Sequence, residues 1–418
     1  MIDQGSRLGR ALKRVAIFAI VLGILAASIW WLFQYFGVTL IRVDRTETEL
    51  KRSPSVFDDQ PPAPAPAEFP RNVILFIADG MGFAHLALTR AVHHEIDGPT
   101  VWDRFPVTGW HRASPSDGYL TDSAASATAL ATGEVTYNGA IGVDANGEPR
   151  QTLIERAQEL GYRTGLITDS YVWDATPASF AAHTDSRRNG EDILRQYGES
   201  SLDLLFGGLK DVEPATWEAA VELLGQRFEV VGPDPLTRDE LVAAAPGKPL
   251  AVLFEDDQVR DLDSAPTLPT LAGAALDRLG EGPFVLMIEC EETDTASHGH
   301  NLERVLRGIL AIEATLELLL DYAAVRGDTL VVFTSDHETA GLAVSVTDRS
   351  NQQLRALWPS LHHTGAPVPV MASGPGSELF AGSRANWQLG RLFFELLNVE
   401  PEDSVDPLVD VGRGPDQD

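Results

Sequence analysis

The sequence predicts an α/β protein: a mainly parallel central sheet with helices on both faces, preceded by an N-terminal transmembrane helix. Three observations lead there. Short apolar runs rich in Val, Ile, Leu and Phe recur at 73–78, 164–168, 204–206, 250–254, 284–289, 330–335 and 368–372. Between several of them lie helical patterns, at 152–160, 217–224 and, longest, 302–324, where Leu302, Val305, Leu306, Ile309, Leu310 and Leu316 recur at helical spacing. Strands alternating with helices favour parallel pairing, which needs crossovers and buries both faces of the sheet. The third observation is that residues 15–41 contain no charged side chain.

The elements follow in chain order. Residues 1–14 read as a short cytoplasmic segment and 15–41 as a signal-anchor helix, since about 20 apolar residues cross a bilayer. Trp30, Trp31 and Tyr35 suit a membrane interface. Ala26-Ala27-Ser28 would suit signal cleavage, but the apolar run continues beyond it, which favours an uncleaved anchor. Arg7, Arg10, Lys13 and Arg14 precede the run, and Arg42, Arg45, Lys51 and Arg52 follow it. Flanking positive charge is therefore balanced and sets no orientation. Residues 42–70 form a Pro-rich linker, 71–400 the main α/β domain and 401–418 an acidic, flexible tail.

Composition excludes some functions. With 418 residues, 44% of them hydrophobic, the chain can bury a large core. A formal charge of −29 argues against a nucleic-acid partner, which wants a basic face. The same field repels phosphate esters at long range, so a phosphate site needs local positive charge, and metal ions are one source. Cys290 is the single cysteine, so no intramolecular disulfide forms and any zinc would be held by His and carboxylate.

Chemistry-bearing residues gather where strands end. Asp79 follows the first strand, with Gly80 and Gly82 allowing a tight turn; an Asp there is also a common turn former or cap. Glu289, Asp294 and His298 follow a second strand, and His298 stands four residues after Asp294, one helical turn away. Asp336-His337 end a third strand, and His362-His363 precede the last one. Four carboxylates and two or three imidazoles at strand ends are what a two-metal hydrolase needs, with ions roughly 4 Å apart. Asp122-Ser123 open an Ala-rich helix, either as a simple N-cap or as a nucleophile at the electropositive helix end. Asp174, Thr176 and Arg187 lie in a further segment, and a guanidinium grips two phosphate oxygens well.

Together, DGMG (79–82), TDSAASATALATG (121–133), YNGAIGVD (137–144), DATPASFAAH (174–183), Ser186-Arg187, the Glu289–Asp294–His298 spacing, SDHETAG (335–341) and HTG (363–365) resemble the alkaline phosphatase family, in family order. The resemblance spans roughly 72–397, with little signal between 212 and 282. It implies an alkaline phosphatase-like fold and hydrolysis of small phosphate monoesters with two Zn2+ and one Mg2+.

The resemblance also implies roles. Ser123 would be the phosphorylated nucleophile and Arg187 the phosphate clamp. Asp294, His298 and His363 would hold the first zinc; Asp79, Asp336 and His337 the second, which also touches Ser123. Asp79, Thr176 and Glu289 would hold magnesium, with Asp174 near its water shell and the substrate. It further implies a catalytic domain outside the cytoplasm, periplasmic and tethered to the cell membrane, and admits a homodimer. Thr295 departs from the family, which often has Lys, His or Trp there. His300 could make a supporting contact, whereas His85, His93, His94, His111 and His183 read as surface or packing residues. Two alternatives are a phosphodiesterase of the same superfamily and a catalytically inactive, membrane-tethered metal-binding protein.

Overall fold

The computed structural model describes residues 16–29, 31, 69–92, 98–210, 213–234, 236–255, 266–346 and 354–397. The chain divides into two units, 1–53 and 54–418. The expected segment 1–14, nearly all of the linker 42–70 and the tail 401–418 lie outside the described residues, as do 15, 30 and 32–41 of the expected span.

In the first unit, residues 16–29 are helical and exposed along their length, Ile17, Phe18 and Ile24 among them. Among the described residues no helix is long and apolar enough to cross a membrane, and the remainder of the expected span lies outside them.

The second unit carries fourteen strands among its described residues: β1 (Asn72–Ala78), β2 (Val107–Arg112), β3 (Arg163–Tyr171), β4 (Leu204–Leu209), β5 (Glu229–Val231), β6 (Leu250–Glu255), β7 (Phe284–Cys290), β8 (Thr329–Thr334), β9 (Glu338–Thr339), β10 (Ala343–Val346), β11 (Leu354–Leu357), β12 (His363–Thr364), β13 (Val368–Ser373) and β14 (Gly382–Ala385). Ten form one sheet, in the order β14-β2-β13-β8-β1-β7-β3-β4-β6-β5. β13 runs antiparallel to both its neighbours, β2 and β8, and the remaining pairings are parallel. The small pairs β10-β11 and β9-β12 sit apart from that sheet.

The alternating side chains of β1 explain why both faces are covered. Val73, Leu75 and Ile77 join one core with Leu130, Leu153, Leu389 and Phe393; Ile74, Phe76 and Ala78 join the other with Leu271, Ile309, Ile312 and Leu316. Helices Ser123–Thr132, Leu153–Glu159 and Asn386–Leu396 thus cover one face, and Leu268–Leu279 and Leu302–Arg326 the other. Each fully buried Leu, Ile or Phe contributes about 1.5–3 kcal/mol of transfer free energy, so the central strands are held firmly. Their carboxyl ends are fixed as a result, and the candidate site is built there.

Candidate active site

Asp79 directly follows β1, in a turn that depends on glycine. Gly80 has φ 72°, and a Cβ there would come 2.8 Å from Asp294 Cα. This close approach lets Gly80 N donate to Asp336 Oδ1 at 3.2 Å and Met81 N to Ser335 Oγ at 2.9 Å, tying the ends of β1 and β8 together. Across β1, β7 ends in Glu289 and Cys290 and leads into helix Glu292–His298, which carries Asp294 and His298.

Three imidazoles converge on these carboxylates. His298 Nδ1 donates to Leu361 O (2.7 Å) and His363 Nδ1 to Thr121 O (2.8 Å), fixing the proton on Nδ1 in each neutral ring. The two Nε2 atoms then face each other at 3.1 Å with lone pairs exposed, beside Asp294. A shared cation relieves that repulsion. His337 stacks on His363 with centroids 3.5 Å apart, and its Nε2 lies 3.1 Å from Asp336 Oδ2 and 3.5 Å from Asp79 Oδ1. Donor atoms of Asp294, His298 and His363 lie within 4.8 Å of one another, and so do those of Asp79, Asp294 and His337. Asp294 is common to both groups, which the sequence reading did not anticipate.

The electrostatics fit cations as well. Burial, then Asp336 and Asp294, push the Asp79 carboxyl well above its usual range. Burial and Asp294 push Asp336 up to about 6. Burial and Asp174 raise Glu289 well above the usual range, against the opposing Thr168 and Thr176 hydroxyls. Burial, then His363 and His298, hold the His337 imidazole well below its normal value. Asp79 Oδ1, Asp336 Oδ2, Glu289 Oε1 and Thr176 Oγ1 are buried without a hydrogen-bond partner among the described residues. Bare carboxylates crowded in a dry site are costly unless cations neutralise them. These oxygen and neutral imidazole donors suit zinc at the His-rich positions and magnesium at the all-oxygen one.

Ser123 is the first residue of helix Ser123–Thr132 and is 5% exposed. Its Oγ lies 3.3 Å from His337 Nε2. Asp122, not Ser123, caps this helix: its Oδ1 accepts from Ala125 N at 2.9 Å. Asp122 Oδ2 also accepts from Gly139 N and lies 3.6 Å from Arg187 Nη1. Arg187 Nη2 donates to Asp174 Oδ1 at 2.8 Å, so two carboxylates aim one guanidinium. Asp174 itself is fixed by Ala175 N and Ser170 Oγ. Burial works against the charge on Arg187, but Asp174 and then Asp122 outweigh it and favour the cation.

The structure therefore brings Ser123, Asp79, Asp294, His298, Asp336, His337 and His363 into one cluster, with Arg187 and Asp174 tied to it through Asp122. Thr176 and Glu289 lie together at the ends of helix Ala175–Ser179 and β7. His362 is exposed, and the residue turned inward is His363. His300 stacks on Trp358 and donates to Ser360 O at 2.6 Å, which steadies the segment whose Leu361 carbonyl holds His298. His85 and His111 are buried packing residues, His183 pairs with Glu155 at 2.8 Å, and His93 and His94 lie outside the described residues.

Sequence reasoning missed several supporting residues. Asp122 was read only as a cap or a neighbour of the nucleophile. Thr339 donates its hydroxyl to Asp294 Oδ1. Glu338 accepts from Gly341 N, Leu342 N and the Thr364 hydroxyl, locking β9 to β12. Thr295 donates to Glu291, a carboxylate close enough to raise the Asp79 carboxyl further. Glu338 and Thr339 stand inside SDHETAG, so the motif itself was the available signal.

A mainly parallel sheet that collects carboxylates, imidazoles and the first serine of a helix at its carboxyl edge defines a hydrolase with a metal-binding centre. The chain belongs to the alkaline phosphatase family, whose model matches residues 70–206 and 237–354, and it is an alkaline phosphatase enzyme by that membership. Alkaline phosphatase 4 of Bacillus subtilis (strain 168) is 29% identical over 79% of this chain and 89% of its own length. Streptomycin-6-phosphate phosphatase of Streptomyces griseus is 30% identical over 78% of this chain and 89% of its own. Among solved structures, a variant of the alkaline phosphatase of the Antarctic bacterium TAB5, with Mg bound in its M3 site, superposes with a TM-score of 0.70 at 26% identity, covering 80% of this chain and 99% of that one.

Proposed function

We propose that this chain hydrolyses small-molecule phosphate monoesters through a phosphoseryl intermediate on Ser123, with two zinc ions and one magnesium ion bound. The observation that carries the proposal is the position of Ser123 Oγ at a helix N-terminus, 3.3 Å from His337 Nε2, which itself lies beside Asp79 and Asp336. Asp294, His298 and His363 would hold one zinc, Asp79, Asp336 and His337 the other, and Asp79, Thr176 and Glu289 the magnesium. When bound, these cations would supply the positive charge that lowers the serine pKa and offsets the phosphoryl oxygens.

The chain's own residues do the rest. Arg187, aimed by Asp174 and Asp122, grips two terminal oxygens of the ester and orients the phosphorus in line with Ser123. The helix N-terminus favours negative charge at Ser123, first on the alkoxide and then on the phosphoseryl group. Ser123 Oγ bonds to phosphorus as the ester P–O bond breaks and the alcohol leaves with a proton. Water then attacks from the vacated side, releasing inorganic phosphate and restoring the hydroxyl. Two in-line displacements give net retention at phosphorus.

Initial rates on a generic phosphomonoester and a matched diester, measured on the full chain with metal analysis, test this reading. Monoester turnover that requires the metals is expected; faster turnover of the diester assigns a phosphodiesterase instead. We further propose that the apolar run 15–41 tethers the catalytic domain outside the cytoplasm, in the periplasm of its cell. The absence of charge over that run supports this, and flotation of the full chain with lipid vesicles tests it.

A further inference from the structure

Exposure falls steadily across the imidazole cluster, and this locates the mouth of the site. The His298 side chain is 35% exposed and that of His363 17%, while those of His337 and Asp336 are 1% and 0%. A group departing from phosphorus opposite Ser123 therefore leaves past His298 and His363. The segments framing that exit are the ones that hold the two imidazoles. Thr121 O accepts from His363, Leu361 O accepts from His298, and Leu120 directly precedes Thr121. The Tyr119 ring packs on Gly365, two residues beyond His363, where an added Cβ would come 2.8 Å from Tyr119 Cε1.

These framing side chains are apolar and bare. Tyr119 is 58% exposed, Leu120 41% and Leu361 59%, on a chain of net charge −29. The backbone that carries them is tied down: Asn138 Nδ2 donates to Leu120 O at 3.1 Å, and Ser360 O, next to Leu361, accepts from His300. Their segments hold the imidazoles at the mouth, and sites that take small molecules are lined mainly by apolar side chains around a few polar groups.

We infer that Tyr119, Leu120 and Leu361 form an apolar subsite for the leaving group, so that the enzyme favours phosphate monoesters of alcohols bearing an aromatic or bulky apolar group. The inference rests on the phosphomonoesterase reading and adds the substrate class to it. Covering the three side chains with an apolar leaving group removes them from water, whereas a small alcohol leaves them exposed.

The test compares kcat/KM for benzyl phosphate and ethyl phosphate, whose alcohols are of similar acidity, so that intrinsic reactivity is matched. The chain is expected to favour benzyl phosphate about tenfold. Leu361→Ser, which keeps the carbonyl that holds His298, and Tyr119→Ser should each lower the benzyl rate about threefold more than the ethyl rate. Equal rates on the two esters, or variants that lower both rates alike, overturn the subsite while leaving the phosphomonoesterase reading intact. Hydrolysis of neither ester overturns both. Sedimentation of the same variants covers the rival occupant: a loss of dimer with an unchanged substrate ratio assigns the apolar rim to a second copy of the chain and overturns the subsite.

Discussion

Ser123 Oγ stands 3.3 Å from Nε2 of His337, although 214 residues separate them in the chain. The nucleophile and the end of β8 meet because helix Ser123–Thr132 lies on the face of the sheet whose carboxyl edge carries Asp336-His337. Ser123→Ala should remove at least about a thousandfold of phosphomonoesterase activity. It should leave the helix intact, since Asp122 supplies the cap and Ala is a good helix former. Circular dichroism with initial rates checks both halves; retained turnover would reassign the nucleophile.

Arg187 is gripped by Asp174 at 2.8 Å and Asp122 at 3.6 Å. A lysine cannot reproduce that planar fork. Arg187→Lys should lower kcat/KM about ten- to a hundredfold and weaken inhibition by inorganic phosphate in step, because the same grip holds substrate and product. Unchanged phosphate inhibition would show that the guanidinium does not touch the phosphoryl group.

Without cations the crowded carboxylates set the pH response. The folded state raises Asp336 to about 6, and Asp79 and Glu289 well above their usual values, while the unfolded chain titrates near the ordinary ~4. Between about pH 4 and pH 6 the folded form thus holds protons that the unfolded chain has lost, and stability declines as pH rises through that window. The buried imidazoles of His85, His111 and His337, held low, pull the other way over the same range, so the carboxylates are read as a difference between the chelated and metal-loaded protein. Chelation should lower Tm more at about pH 8 than at about pH 5, because protons replace the cations at the same oxygens and nitrogens as pH falls. Melting curves with and without chelator check this; parallel profiles would contradict it.

Glu338 holds the β9-β12 pair in which His363 lies opposite Thr339. Its carboxylate accepts from Leu342 N at 2.9 Å, Gly341 N at 3.2 Å and the Thr364 hydroxyl. Glu338→Ala should free that pair and cost about ten- to a hundredfold in affinity for the cation at Asp294, His298 and His363. Metal content after graded dialysis measures this without relying on turnover. Wild-type retention would mean that other contacts position His363.

The strands that build the site were legible because each is an apolar run ended by a carboxylate: β1 by Asp79, β7 by Glu289 and β8 by Asp336. β2 was not, since Trp110 is 40% exposed and the strand alternates between half-buried and exposed positions next to the edge of the sheet. β5 has three residues and pairs with β6 alone, too short to register as a run. At the site, motif resemblance named the ligands and the nucleophile. It could not show that Asp122 serves the helix cap and Arg187 at once, because that depends on a contact 65 residues along the chain, as Arg187 folds back. The sharing of Asp294 between two donor groups is likewise a matter of distances, which spacing along one helix does not encode. At the N-terminus, composition predicted a span over 15–41, of which 16–29 and 31 are described, all helical.

Trapping the reaction intermediate tests the central claim most directly. The metal-loaded chain is mixed with a phosphomonoester, quenched in acid and mapped by peptide mass spectrometry. One phosphoryl group on the peptide carrying Ser123, absent from Ser123→Ala, is the result this account predicts. Sustained ester hydrolysis with Ser123 unlabelled would contradict it.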